Sequence, residues 1–386
     1  MDKKSKQTVA AFKKAGARIE TKGRVKMKTK QDFALYYTPG VGAASLHLAK
    51  NPKDARLLSV KKNSVAVISD GSAVLGLGNI GPYGALPVME GKALIFRELA
   101  GIDAWPIVLD LPAGKAGTED SVDEIVRTVL AIAPGWGGIN LEDIAAPACF
   151  EIERRLIEAL DIPVMHDDQH GTAIVVLAGL INAAKVVRKP LKSLKVVISG
   201  AGAAGAAIAK LLLLAGVKEV IVLDRKGIIT KKRTDLNESK KELARLTNPR
   251  GRIGNLQDAL AGSDAFVGVS GPGLMTASDV KLMNAGAIVF GLSNPVPEIL
   301  PDEAKKGGAL VIATGRSDFP NQINNALVFP GVFRGALDKG VTRITDESKL
   351  RAAKALASLV ASPTPTKIIP DVLDKRVVPA VARAIR

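Results

Sequence analysis

One cysteine in 386 residues, Cys149, excludes an internal disulfide and fits a reducing compartment. With no paired histidine motif beside it, the thiol reads as a small buried residue. Long apolar runs are also missing. The longest, at residues 173–181 and 211–216, fall short of a bilayer span, and the basic N-terminus has no continuous apolar stretch behind it. The chain is therefore expected to be soluble, unexported and cytoplasmic, with no membrane partner. Aromatic residues make up only 4% of the chain, which leaves few platforms on which nucleic-acid bases could stack. The net charge of +16 must be read against that scarcity. Residues 1–30 hold 11 Lys/Arg against Asp2 and Glu20, and residues 225–252 hold 10 against Asp235, Glu238 and Glu242. Those two segments contain the whole excess. They read as solvated basic faces that favour small anions, and no nucleic-acid partner is expected.

What is present is ordinary for a globular protein, with 47% apolar and 24% charged residues. The length predicts two domains, placed here at 1–165 and 166–386. Residues 1–30 read as an arm with a weak helix at 9–17. Beyond it, apolar runs at 65–69, 93–99 and 104–109 alternate with helical stretches, the pattern of an α/β domain. Helices are expected at 121–132 and 151–160 and a short strand at 163–165. Residues 172–187 are apolar nearly all round, which predicts a buried helix linking the halves. From 194 the pattern is that of a nucleotide-binding unit. A strand at 194–199 is followed by a glycine turn and then by a helix with Ile208, Leu211, Leu212 and Ala215 on one face. The next strand spans 219–223 and ends on Asp224, and further strands are expected at 265–269, 287–292 and 309–313. Terminal helices at 346–361 and 377–385 flank Pro363-Thr-Pro365. The predicted fold is α/β, with an N-terminal α/β substrate and metal domain and a C-terminal Rossmann-like, doubly wound parallel sheet.

A bare Gly-x-Gly-x-x-Gly pattern is weak in a chain with 37 glycines. Gly200-Ala201-Gly202-Ala203-Ala204-Gly205 gains weight from its place between a strand and a helix, in a βαβ unit of about 30 residues. Gly200 permits the tight turn, Gly202 lets backbone amides reach a pyrophosphate, and Gly205 lets helix pack on strand, with the helix N-terminus facing the anion. Asp224 stands where an acid accepts from adenosine ribose hydroxyls, which favours NAD. Arg225, Lys226, Lys231, Lys232 and Arg233 follow at once and could hold a 2′-phosphate, so NAD and NADP both stay open.

Glu142, Asp143 and Asp168 are three hard oxygen donors of the kind that Mg²⁺ or Mn²⁺ takes, and equally the kind found as solvated loop acids and helix caps. Adjacent Glu142 and Asp143 diverge on a regular strand, so one ion can use both only if the chain turns there. His166 and His170 have the i, i+4 spacing of a zinc pair, but Gly171 and the two aspartates argue against a helix at that point. Orienting or capping roles suit both histidines better, and Asp167 could support the site from behind. His47 has no evident role.

Taken together, these segments resemble the malic enzyme family in its short form. The matching blocks run in the family's order across residues 30–335: Tyr37-Thr-Pro-Gly-Val41, Val74-Leu-Gly-Leu-Gly-Asn-Ile-Gly81, Pro87-Val-Met-Glu-Gly-Lys92, Ile139-Asn-Leu-Glu-Asp143, His166-Asp-Asp-Gln-His-Gly-Thr-Ala173, the Gly200 turn, Leu292-Ser-Asn-Pro295 and Arg316-Ser-Asp-Phe-Pro-Asn-Gln-Ile-Asn-Asn325. The resemblance implies oxidative decarboxylation of malate to pyruvate and CO₂ with NAD or NADP and a divalent metal, in a homodimer or larger assembly. By position it makes Glu142, Asp143 and Asp168 the metal ligands, Lys92 the general base and Tyr37 the general acid. It places Gly200, Gly202, Ala203, Ala204, Gly205, Asp224 and Asn294 on the cofactor, and Asn294 and Asn325 on substrate.

In that chemistry Lys92, its pKa lowered by burial and a neighbouring cation, takes the malate hydroxyl proton as hydride leaves C2. The metal polarises the new carbonyl during CO₂ loss, and Tyr37 returns a proton to C3. One departure stands out. Ala73 occupies the region where larger members carry an arginine for the substrate carboxylate, which leaves asparagines and the amides of 78–81 as candidate replacements. The chain is expected to lack the acyltransferase-like extension of some members. Two other readings compete: a different metal-assisted, decarboxylating 2-hydroxyacid oxidoreductase, and a nucleotide-binding regulator without turnover.

Overall fold

The computed structural model describes residues 3–112 and 116–386, and in it the alternation of runs becomes two sheets. The first contains β1 (Ser64–Ser69), β2 (Asp103–Val108), β3 (Gly138–Leu141) and β4 (Val164–His166), ordered β2-β1-β3-β4 and parallel throughout. All six residues of β1 are buried, so the strand shows no in-out alternation. That is expected for a parallel strand covered by helices on both faces. The crossovers are the helices Gly81–Ala100, Val122–Ile132 and Ala148–Ala159.

The second sheet contains β5 (Lys195–Ser199), β6 (Glu219–Asp224), β7 (Gly227–Ile228), β8 (Ala265–Gly268), β9 (Ile288–Gly291) and β10 (Val311–Thr314). Its order is β10-β9-β8-β5-β6-β7, parallel except for the two-residue β7, which runs antiparallel to β6. The winding direction reverses between β5 and β8. A ligand crevice is expected beyond the carboxyl ends of those strands, where the Gly200 turn lies. This is the Rossmann-like, doubly wound sheet predicted from sequence.

Between the sheets runs the helix Asp167–Val186, in which fourteen residues are buried. It begins directly after β4, at Asp167, so Gly171 and the aspartates, which argue against a helix in the sequence, lie inside one. Asp167 and Asp168 occupy the first turn, where carboxylates oppose the helix dipole favourably. One continuous apolar core includes Val65 and Val67 of β1, this helix, Val196 of β5 and Phe290 of β9. Phe96 closes it, with ring centroids 4.7 Å from Phe329 and 5.5 Å from Phe333 in edge-to-face packing.

The N-terminal arm behaves differently. After the helix Lys3–Ala15, the helices Lys30–Tyr36, Val41–Lys50 and Ala55–Leu58 contain no buried residue at all. Phe33, Leu35, Tyr36, Val41, Leu46, Leu57 and Leu58 are all exposed.

Candidate active site

β3 ends at Leu141, and the chain turns within two residues. Asp143 takes a left-handed backbone with φ of 52°, which swings its side chain back toward that of Glu142 instead of away from it. This is the turn that joint use of the pair requires. The corner is pinned by the Ala73 N–H donating to the Asp143 carbonyl at 2.9 Å and by the Leu75 N–H donating to Asp143 Oδ1 at 3.3 Å. Asp168, from the first turn of the linking helix, accepts the Asp143 N–H on Oδ2 at 2.8 Å. One carboxylate oxygen each from Glu142, Asp143 and Asp168 lie within 4.8 Å of one another.

Glu142 and Asp143 are buried and Asp168 is partly open to solvent. Burial, then the mutual repulsion with Asp168 and Glu142, pushes the Asp143 carboxyl up to about 9. Burial also raises Glu142 and Asp168 above the usual carboxylate range, although Lys92 opposes the shift in both. Asp143 Oδ2 is buried without a hydrogen-bond partner among the described residues. An orphaned carboxylate oxygen beside two more, all hard donors, fits Mg²⁺ or Mn²⁺.

Lys92 reaches this cluster from the helix Gly81–Ala100. Its ammonium donates to Asp167 Oδ2 at 2.7 Å, lies 2.6 Å from Glu142 Oε1 and sits 4.3 Å above the Phe329 ring centroid. Burial alone lowers the Lys92 pKa, but Asp167, Glu142 and Asp168 outweigh it and hold the value above that of an ordinary lysine. The lowered pKa expected from sequence is therefore not what these residues produce by themselves. Asp167 is fully buried, and its Oδ1 has no partner among the described residues. Gly171 explains how it fits: a Cβ there would stand 1.8 Å from Asp167 Oδ1 and 3.2 Å from Asn325 Cβ. Only glycine one turn later leaves room for Asp167 to bend toward Lys92.

Behind the carboxylates, Glu153 of the helix Ala148–Ala159 is buried and takes three contacts. Its Oε1 accepts the His166 N–H at 2.7 Å, and its Oε2 accepts Gln169 Nε2 at 3.1 Å and meets His170 Nε2 at 3.0 Å. His166 Nε2 lies 4.0 Å from Asp168 Oδ2. The two histidines thus face different carboxylates and do not form a zinc pair.

The halves meet along the cleft. A Cβ on Gly76 would stand 1.9 Å from the Asn294 carbonyl oxygen, and Asn325 lies against Gly171 of the linking helix. Ala203 heads the helix Ala203–Leu214 and packs on the apolar cluster that includes Ile144 and Ala148, next to the Asp143 corner. Gly200 has φ of 117° with Val269 O where its Cβ would be, and a Cβ on Gly205 would lie 1.8 Å from the Gly200 carbonyl oxygen. Gly202 faces open space. Asp224 already has both oxygens occupied: Oδ1 accepts from Arg233 Nη1 at 2.7 Å and the Lys226 N–H at 2.9 Å, and Oδ2 from Lys240 Nζ at 2.7 Å and Arg233 Nη2 at 3.1 Å.

Tyr37 stands in a different setting from the buried Lys92. It ends the exposed helix Lys30–Tyr36, stacks edge-on against Phe33 at 5.3 Å and is 57% exposed. Sequence reasoning gave no role to Glu153 or Lys240 at the site, and read Arg233 only as one of the cations that could hold a 2′-phosphate. Glu153 shares a helix face with the apolar Cys149, Ile152 and Leu156, and that placement was the available signal.

Comparisons with known proteins identify the family. Residues 16–157 match the family described as malic enzyme, N-terminal domain, and residues 169–385 the family described as malic enzyme, NAD binding domain. The chain is 54% identical over 372 residues to an NAD-dependent malic enzyme of Geobacillus stearothermophilus, covering 96% of this chain and 76% of that one. It is 48% identical over 344 residues to an NADP-dependent malic enzyme of Halomonas elongata, covering 88% and 79%. The crystal structure of an NAD-dependent malic enzyme from Thermotoga maritima superposes with a TM-score of 0.92 at 46% identity, covering 97% of this chain and 98% of that one. With both halves matched and a relative 54% identical over 96% of this chain, the chain belongs to the malic enzyme family.

Proposed function

We propose that this chain, an NAD(P)-dependent malic enzyme, performs the oxidative decarboxylation of malate to pyruvate and CO₂ at the cleft between residues 1–165, the substrate and metal half, and 166–386, the dinucleotide half. The observation that carries the reading is Lys92, a buried ammonium bonded to two carboxylates at the edge of a three-carboxylate cluster with an orphaned oxygen. Glu142, Asp143 and Asp168 are the residues that would hold Mg²⁺ or Mn²⁺. A divalent ion held there supplies Lewis acidity toward the substrate oxygen and positive charge that offsets the carboxylates' hold on the Lys92 proton.

Lys92 then serves as the group that accepts the malate hydroxyl proton, with Asp167 and the Phe329 ring fixing where its Nζ stands. Asn294 and Asn325, one from each of the loops beyond β9 and β10, would orient the substrate and the nicotinamide. The Gly200 turn, with Gly202 open to the crevice, receives the pyrophosphate. Asp224 would flank the adenosine ribose.

Tyr37 is the acid by family position, and its exposed segment bears on assembly. Helices that bury nothing display Phe33, Leu35, Leu46 and Leu57 to solvent, apolar surface of the kind that marks an interaction face. A second copy of the chain packed on this arm would cover it, giving a homodimer or larger. No helix among the described residues is long and apolar enough to cross a membrane. The lone, buried Cys149 fits action in the cytoplasm.

The purified protein with Mn²⁺, L-malate and either nucleotide should yield reduced nicotinamide and pyruvate in equal amounts. Stoichiometric oxaloacetate without pyruvate, or no reduction at all, would refute the reading.

A further inference from the structure

We infer that Glu153 is a positioning residue of the site: its carboxylate fastens the β4–helix corner and so sets where Asp168 stands for the cation and where Asp167 stands for Lys92. The inference rests on the reading of Glu142, Asp143 and Asp168 as a cation site, and goes beyond it by assigning a determinant that contacts neither the ion nor substrate.

The geometry is specific. A helix that starts immediately after a strand offers its first-turn groups with nothing behind them, and His166, at the head of the helix, makes no side-chain cap. Glu153 supplies the missing anchor from a separate helix. Its two oxygens hold the last residue of β4 through a backbone N–H, and the first turn of the helix through the side chains of Gln169 and His170. Asp167 and Asp168 lie between those attachment points in sequence and point the other way, toward Lys92 and the Asp143 N–H. A rotation of that turn about the helix axis would move both aspartates together.

The chemistry also asks for a carboxylate. Three nitrogens converge on two oxygens, and an acceptor-only group satisfies all of them. A leucine of similar size accepts from none of them, so it leaves the His166 N–H and the Gln169 and His170 side chains without that anchor. Supporting residues behind metal ligands typically change metal affinity by ~10–100-fold when altered.

The test is Mn²⁺ binding to the protein, followed by electron paramagnetic resonance of the free ion, for wild type and Glu153→Leu. The nucleotide KM and the thermal midpoint are measured alongside. The expected result is a folded variant with Mn²⁺ Kd raised about tenfold or more, a reduced kcat and an unchanged nucleotide KM. A residue that only held the fold would lower the midpoint and leave the Mn²⁺ Kd where it was; that outcome overturns the inference, as does wild-type behaviour throughout. His170→Ala removes one of the three attachments at a partly exposed position, so it serves if Glu153→Leu does not fold. It should weaken Mn²⁺ a few-fold, and unchanged affinity there overturns the inference too. Wild-type protein that binds no Mn²⁺ would instead bring down the cation-site reading, and this inference with it.

Discussion

Asp143 and Asp224 are both aspartates at or just beyond the carboxyl end of a parallel strand, yet their oxygens keep opposite company. Asp224 receives four donors on two oxygens, and although burial raises its pKa, Arg233, Lys240 and the Lys226 N–H bring it down to about 2. Asp143 has one weak backbone donor on Oδ1, none on a buried Oδ2 and two other carboxylates beside it, and is held at about 9. The first arrangement is complete within the protein and stabilises it. The second is incomplete, and unsatisfied acceptor capacity in a buried place is the mark of a site that awaits a ligand.

Lys92 tests that contrast most severely. Lys92→Ala should reduce kcat by ~10²–10⁴-fold, the usual scale for a lost general base, whereas Asp224→Ala should leave kcat near wild type and act through the nucleotide KM. Initial rates at saturating malate and nucleotide distinguish them, and equal kcat losses would erase the distinction.

Next in size, Asp143→Asn should weaken Mn²⁺ by at least ~10-fold and yet raise the thermal midpoint of the metal-free protein at and above about pH 9, where it removes a charge that its neighbours repel. Asp224→Asn should do the reverse, lowering the midpoint without touching Mn²⁺ affinity. The sign with pH follows from the same groups. Folded carboxyls raised above their unfolded values bind protons that the unfolded chain has released, so their stabilisation is full below about pH 4 and is lost as pH rises through about 9. Metal-free protein should therefore unfold more readily at pH 8 than at pH 6, and saturating Mn²⁺ should flatten that slope. A metal-free midpoint that rises between those values would contradict the assignment.

Two glycines give a finer comparison. At Gly171 an added methyl collides with Asp167, so Gly171→Ala should lower kcat by about tenfold as Asp167 leaves Lys92. At Gly202 the space is open to the crevice, so Gly202→Ala should keep kcat and raise the nucleotide KM. The smallest effect belongs to Arg233→Ala. It frees one face of Asp224 for ribose hydroxyls and removes a cation from any 2′-phosphate, so the ratio of kcat/KM for NAD over that for NADP should rise a few-fold.

Most of the fold was legible because parallel strands covered on both faces leave unbroken apolar runs, as at β1 and β5, and these stand out from the amphipathic helices between them. The start of the linking helix was not legible. Asp167, Asp168 and Gly171 read as breakers until it is seen that the aspartates suit an N-terminal turn and that Asp167 needs the space of Gly171. Joint use of Glu142 and Asp143 was conditional on a turn, and the left-handed backbone of Asp143 supplies it. Glu153 stayed hidden because one glutamate among Glu151, Arg154, Arg155 and Glu158 looks like part of a solvated face. Its burial depends on β4 and the helix after it arriving from elsewhere in the chain. The saturation of Asp224 was equally beyond reach, since Arg233 and Lys240 approach it across a turn whose path no local pattern dictates.

The two-residue β7 has a bearing on how copies of the chain can join. By pairing in reverse with β6 at one margin of the six-stranded sheet, it leaves there too short a row of free amides and carbonyls for a neighbouring molecule to extend the ladder. Association through strand addition on that side is therefore discouraged, and the work of bringing molecules together passes to helical surfaces.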